Sequence, residues 1–138
     1  MGYTNFPYGV TSFGVPQGFA SVATDNTAGA ITYTAAQLLG GLILRDPNGA
    51  GRSDVTPTAV DIVKALTYPK GLAPVAGSCF EFTIRNTADA AETITVTAGT
   101  GVTLSGTMTI AQSNSKRFLV VINSATTCTI YSLGTVVH

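Results

Sequence analysis

The sequence predicts a mainly β protein: an antiparallel β-sandwich or jelly-roll-like domain with one short α-helix, preceded by an extended N-terminal arm. Three observations predict it. Apolar and polar residues alternate with a period of two through the C-terminal half, a single segment carries a convincing helical apolar period, and the first residues are dense in aromatic, glycine and proline residues with no period at all.

The alternation runs through residues 78–138. Phe80, Phe82 and Ile84 alternate with Glu81, Thr83 and Arg85; Ile94 and Val96 with Thr93, Thr95 and Thr97; Val102 and Leu104 with Thr103 and Ser105; Met108 and Ile110 with Thr107 and Thr109. Successive side chains of a strand point to opposite faces, so each run is a strand with one buried face, and β-branched Thr suits the other. Residues 118–122 break the pattern with consecutive apolar side chains, which implies burial on both faces, inside a sandwich or at a subunit contact. Phe118, Leu119 and Val121 are therefore candidate interface residues. Residues 127–133 make a further strand.

Upstream, residues 31–34 and 42–45 read as short strands. Thr34 is placed to cap a brief helical turn over 35–39, which Gly40 and Gly41 break. Asp46-Pro47-Asn48-Gly49 is turn chemistry. The convincing helix spans about 57–67. Thr56 supplies a capping oxygen, Pro57 fits the first helical position, and Ala59, Ile62, Val63 and Leu66 form one apolar face. Asp61 and Lys64 point away from that face, and Pro69 and Gly71 end the helix.

Residues 1–29 form the expected arm and residues 30–138 the domain. Disordered tails are poor in aromatic residues, so Tyr3, Phe6, Tyr8 and Phe13 need a surface to contact. That surface is either the chain's own core or a neighbouring subunit, which makes these four the candidate interface residues of the arm.

Charge narrows the function. Charged residues make up 10% of the chain and the formal net charge is zero, against about 25% charged residues in an average soluble domain. Near-neutral surfaces promote association. Nucleic-acid binding needs clustered Lys and Arg, and the Lys116-Arg117 pair is not a cluster. No apolar run approaches the ~20 residues of a membrane-spanning helix. With no basic segment leading into an apolar one near Met1, the expectation is a protein made and folded in a cytoplasm.

The inventory for catalysis is thin, and the expectation is a protein without enzymatic activity, cofactor or metal. His138 is the only histidine and stands last, a poor position for holding a base. Cys79 and Cys128 are far apart in sequence and read as small core side chains, with a disulfide as the alternative. Asp46 and Asp54 flank one loop, where they could face each other as a glycosidase pair or offer oxygens to calcium, but a turn role and a helix-entry role account for them. Gly99-Thr100-Gly101 lacks the Lys-Ser/Thr of a phosphate loop and reads as a turn between strands.

Several stretches together resemble a family of small proteins encoded beside capsid genes in tailed phages. They are Tyr3-Thr4-Asn5-Phe6-Pro7-Tyr8-Gly9-Val10-Thr11-Ser12-Phe13-Gly14, Leu42-Ile43-Leu44-Arg45-Asp46 with the following Gly-rich loop and Thr56-Pro57-Thr58, Phe80-Glu81-Phe82-Thr83-Ile84-Arg85-Asn86-Thr87, and Lys116-Arg117-Phe118-Leu119-Val120-Val121. The resemblance implies a capsid decoration (cement) protein: a β-sandwich body, commonly a homotrimer, seated on the major capsid protein of the virion, with no catalytic residues. The alternative is a head-fibre, tail or spike domain that binds a host-surface glycan, stacking Tyr3, Tyr8, Tyr33, Tyr68 or Tyr131 on sugar rings.

Overall fold

The computed structural model describes residues 20–67 and 71–138. Tyr3, Phe6, Tyr8 and Phe13, the candidate arm residues, lie outside these, as does Tyr68. In chain order the elements are β1 (Ser21–Asp25), α1 (Ala35–Gly40), β2 (Gly41–Arg45), β3 (Arg52–Val55), α2 (Ala59–Thr67), β4 (Cys79–Asn86), β5 (Ile94–Thr97), β6 (Val102–Ser105), β7 (Thr109–Ile110), β8 (Asn114–Ile122) and β9 (Cys128–Val137). They form a six-stranded sheet in the order β1-β2-β4-β8-β9-β6 and a three-stranded sheet in the order β3-β5-β7.

The mainly β, two-sheet architecture is the expected one, but the strand directions are mixed. β4–β8, β8–β9 and β5–β7 are antiparallel, whereas β1–β2, β2–β4, β3–β5 and β6–β9 are parallel. Parallel neighbours need a crossover connection. α1 lies within the β1-to-β2 crossover, and α2 lies within the chain between β3 and β5. The period of two reports a buried face and is silent on direction, so the sequence carried no signal for this.

Two boundaries also move. Residues 21–25, assigned by sequence to the arm, pair with β2 at one edge of the large sheet, so the β body begins before residue 30. The strand expected at 31–34 is reduced to a single bridge, Thr32 to Val55. The brief helical turn forms as expected. Thr34 Oγ1 accepts from the Gln37 N–H at 3.1 Å, the Gln37 side chain accepts from the Thr34 N–H at 2.8 Å, and Gly41, at φ 98°, closes the helix and starts β2.

α2 starts two residues later than expected. Thr58, not Thr56, caps it, its Oγ1 accepting from the Asp61 N–H at 3.1 Å. Ala59, Ile62 and Val63 are buried as the period requires, and Asp61 and Lys64 are exposed.

One apolar cluster fills the interior. Phe82 and Ile84 of β4, Phe118, Val120 and Ile122 of β8 and Ile130 of β9 share it with Ile94, Val96 and Ile110 of the small sheet, and Leu38 and Ile62 of the helices complete it. The Phe82 and Phe118 rings stack with centroids 5.0 Å apart. Phe118 is fully buried in its own subunit, which corrects its assignment as an interface residue. The run that suggested two-sided burial alternates normally: Phe118, Val120 and Ile122 point inward, while Leu119 and Val121 are half-buried on the other face.

Candidate functional site

Asp54, the carboxylate that sequence reading weighed for catalysis or calcium, is already fully engaged. It sits on β3 and faces Arg45 of β2. Arg45 Nε donates to Asp54 Oδ2 at 2.8 Å and Nη2 to Oδ1 at 3.2 Å. The Tyr33 hydroxyl donates to Oδ2 at 3.0 Å and the Ile31 N–H to Oδ1 at 3.0 Å. The remaining guanidinium hydrogens reach the carbonyls of Thr27, Asp46 and Gly29. All five Arg45 donors and the four acceptor positions of Asp54 are thus occupied. Burial and the Asp54 charge push the Tyr33 phenol far above its ordinary range. Burial works to lower the Arg45 value, but the hydrogen bond and charge of Asp54 outweigh it and raise it. This cluster ties one sheet to the other and has no capacity left for a ligand.

The other polar candidates are dispersed. The Asp46 side chain accepts from the Asn48 N–H at 2.9 Å, a turn role. Glu92 is buried and holds the same turn through the Gly49 N–H at 2.9 Å; its other oxygen has no partner among the described residues. No three His, Cys, Asp or Glu side chains gather to hold a metal among the described residues. Cys79 is exposed on β4, whereas Cys128 is buried on β9, and both are free thiols. The reading of both as core residues is therefore corrected for Cys79. His138 lies at the end of β9 against the Ser115 hydroxyl.

An open cleft of about 460 Å³ lies between Thr32, Thr34, Thr56, Thr58, Asp61 and Thr100. Among the described residues Asp61 is its only ionisable surface group, since the Tyr33 hydroxyl behind it is bound to Asp54. The Gly99-Thr100-Gly101 turn forms its wall. The Gly99 N–H donates to Thr56 Oγ1 at 2.8 Å and Thr100 O accepts from the Ala59 N–H at 2.9 Å, so the turn seats on the start of α2. Two donors at the helix start, Ala59 N–H and Asp61 N–H, are thereby satisfied internally and are not offered to an anion.

The feature with the most capacity to bind is the outer face of the large sheet. Leu42 and Leu44 of β2 and Leu119 and Val121 of β8 are half-buried there and take no part in the interior cluster. Register places Val22 beside Leu42, and Tyr131 beside Leu119, on that same face. No described helix is among the elements packed on it. Its charges are few: Arg85, and the exposed pair Glu81–Arg117 at 3.4 Å. Inward burial thins the surface charge further, because Arg45, Asp54, Glu92 and Lys116 are all buried. Lys116 points inward to the Thr107 carbonyl at 2.9 Å, and burial lowers its amine's pKa.

Of the sequence-predicted site residues, the structure therefore places Leu119 and Val121 on one open face and Phe118 in the core. Leu42, Leu44 and Val22 were missed. The signal for Leu42 and Leu44 was present in the alternation of β2, where Ile43 and Arg45 take the inner positions, but a charged residue at an inner position hid the period. No family model, no curated protein and no solved structure matches this chain.

Proposed function

We propose that this chain is a virion structural protein, a capsid decoration (cement) protein of a tailed phage that binds the outside of the shell and stabilises it as a homo-oligomer. The observation that carries this reading is the outer face of the six-stranded sheet, where Leu42 and Leu44 of β2 and Leu119 and Val121 of β8 flank the outward row Cys79, Glu81, Thr83 and Arg85 of β4. A face that mixes aliphatic and threonine side chains with three charges, two of them already paired with each other, can be covered by another protein without desolvating many ions, and it gains stability from the area buried. Many copies on one shell make a modest affinity per copy sufficient through avidity. The major capsid protein is the proposed occupant of the face.

The glycan-binding alternative has less support. Tyr33 is buried with its hydroxyl on Asp54, which leaves Tyr131 as the exposed aromatic ring among the described tyrosines.

Co-sedimentation of the purified chain with shells assembled from the major capsid protein of the same particle tests the proposal. Saturable binding is expected, lost in Leu119→Asp and in Val121→Asp while the fold persists. Folded wild-type protein that leaves the shells bare overturns it.

A further inference from the structure

β9 is ten residues long, but β6 pairs only with its first part. The register runs from Val102 beside Cys128 to Ser105 beside Tyr131, and there β6 ends. Gly106 still lies against Ser132, but along residues 133–137 β9 has β8 on one side and no described strand on the other.

The direction of the unpaired groups follows from the ladder. The His138 N–H donates to Ser113 O at 2.7 Å, one step beyond the Val137–Asn114 pair. Antiparallel pairs alternate between bonded and non-bonded. Val136 and Gly134 therefore face β8 with their backbone groups, and Thr135 and Val137 turn theirs outward, to the side where no strand is described. Val136 is 61% exposed and Val137 75%. A Cβ built on Gly134 meets nothing within 4 Å.

Free strand edges are ordinarily blunted by Lys, by Pro, by an inward charge or by a bulge. No residue from Cys128 to Val137 is charged and none is proline, and beyond the one bulge, at Leu133, the ladder from Gly134 to Val137 keeps a regular register with β8. A row of outward donors and acceptors specifies a β-strand as the occupant. An uncharged segment can lie antiparallel to an identical one with no like charges opposed.

We propose that this vacant edge is a self-association seam, where a second copy of the chain adds its own β9 antiparallel about a two-fold axis. The slot begins past Gly106, so residues 133–137 of each copy occupy the slot left open by the other. The seam deepens the assembly reading above and rests on it for its purpose, but its geometry stands apart from the shell-facing sheet face.

Thr135→Pro is the sharpest probe. Its N–H faces away from β8 and meets no described strand, so proline at this edge position leaves the β8–β9 ladder whole and removes an outward donor. Val137→Lys is a second variant that adds charge without altering the backbone. Sedimentation velocity of the full chain is expected to give a concentration-dependent dimer, converted to monomer by either variant with an unchanged far-UV spectrum. Val22→Lys, on the edge strand at the other end of the sheet, is expected to keep the dimer. Hydrogen exchange at the Thr135 and Val137 amides is expected to quicken on dilution.

A wild-type chain that stays monomeric at every concentration overturns the seam, as does an oligomer that survives both variants or in which these amides exchange as fast as in the monomer. The two proposals separate cleanly. A monomer that binds shells overturns the seam alone, and a β9-dependent dimer that ignores them overturns the decoration reading alone.

Discussion

Arg45 of β2 and Asp54 of β3 meet as a doubly bonded ion pair whose side chains are both fully buried, the closest contact being 2.8 Å. The pair bridges strands of different sheets and gathers the carbonyls of Thr27, Asp46 and Gly29 around it. Taking two charges out of water is costly, and what keeps this pair favourable is that every donor and acceptor is filled. Removing one partner leaves the other charged and alone. Arg45→Met is therefore expected to cost about 3–5 kcal/mol in urea unfolding. The double variant Arg45→Met/Asp54→Leu is expected to recover a large part of that loss, which a double-mutant cycle measures directly.

Tyr33 couples this cluster to pH. Burial first, and then the Asp54 charge, hold its phenol above the ordinary value of 10.0. The folded chain keeps the Tyr33 proton at pH values where the unfolded chain releases it. The resulting stability is fully present below about pH 10 and falls as pH rises beyond that point. Tyr33→Phe is expected to lose about 1.5–3 kcal/mol at neutral pH, the worth of a hydrogen bond to a charged group, and to flatten the alkaline limb of the stability curve. Tyrosinate absorbance provides a second readout: the Tyr33 signal is expected to rise together with unfolding and not before it.

Much of the β architecture was legible because it depends on local alternation. The inward sets of β4 and β5, the apolar face of α2 and the Thr34 cap all follow from spacing alone. Strand direction was not legible, since a parallel and an antiparallel neighbour ask for the same buried face. Asp54 illustrates a second limit. Beside a Gly-rich loop it reads as a helix-entry residue or an ion ligand, and only the long-range approach of Arg45 and Tyr33 reveals its role. Phe118 illustrates a third: a continuous apolar run cannot say which of its members face the interior.

The two faces of β8 are expected to respond oppositely to truncation. Phe118 stacks on Phe82 and is fully buried, so Phe118→Ala removes an aromatic ring from a closed cluster. A loss of about 3–5 kcal/mol is expected from transfer and cavity terms together. Leu119→Ala opens no interior cavity, and its expected cost in the isolated chain is below about 1 kcal/mol. Thermal unfolding of both variants distinguishes the faces.

The two thiols are expected to differ in reactivity. Cys79 is exposed, whereas burial pushes the Cys128 thiol upward and removes it from solvent. The thiolate is the reacting form. A disulfide reagent applied to the native chain is expected to titrate one thiol at once and the second only at the rate of unfolding. Cys79→Ser is expected to abolish the fast phase, and Cys128→Ser to leave it intact.

Gly99 ties the β5–β6 turn to the start of α2, and the approach there is too close for a side chain. A Cβ on Gly99 would stand 2.5 Å from Thr56 O and 2.7 Å from Pro57 O, both of them backbone atoms that cannot swing aside. Gly99→Ala must push the turn outward, and doing so stretches two bonds at once: Gly99 N–H to Thr56 Oγ1 and Ala59 N–H to Thr100 O. The expected cost is about 1–3 kcal/mol, typical of forced overpacking. Gly29→Ala serves as the control, since a Cβ there meets nothing within 4 Å and its φ is not left-handed. That variant is expected to be neutral or to gain up to about 1 kcal/mol from a stiffer unfolded chain. Faster hydrogen exchange at the Ala59 amide in Gly99→Ala, with Gly29→Ala unchanged, would locate the damage at the junction of turn and helix and separate it from general loosening.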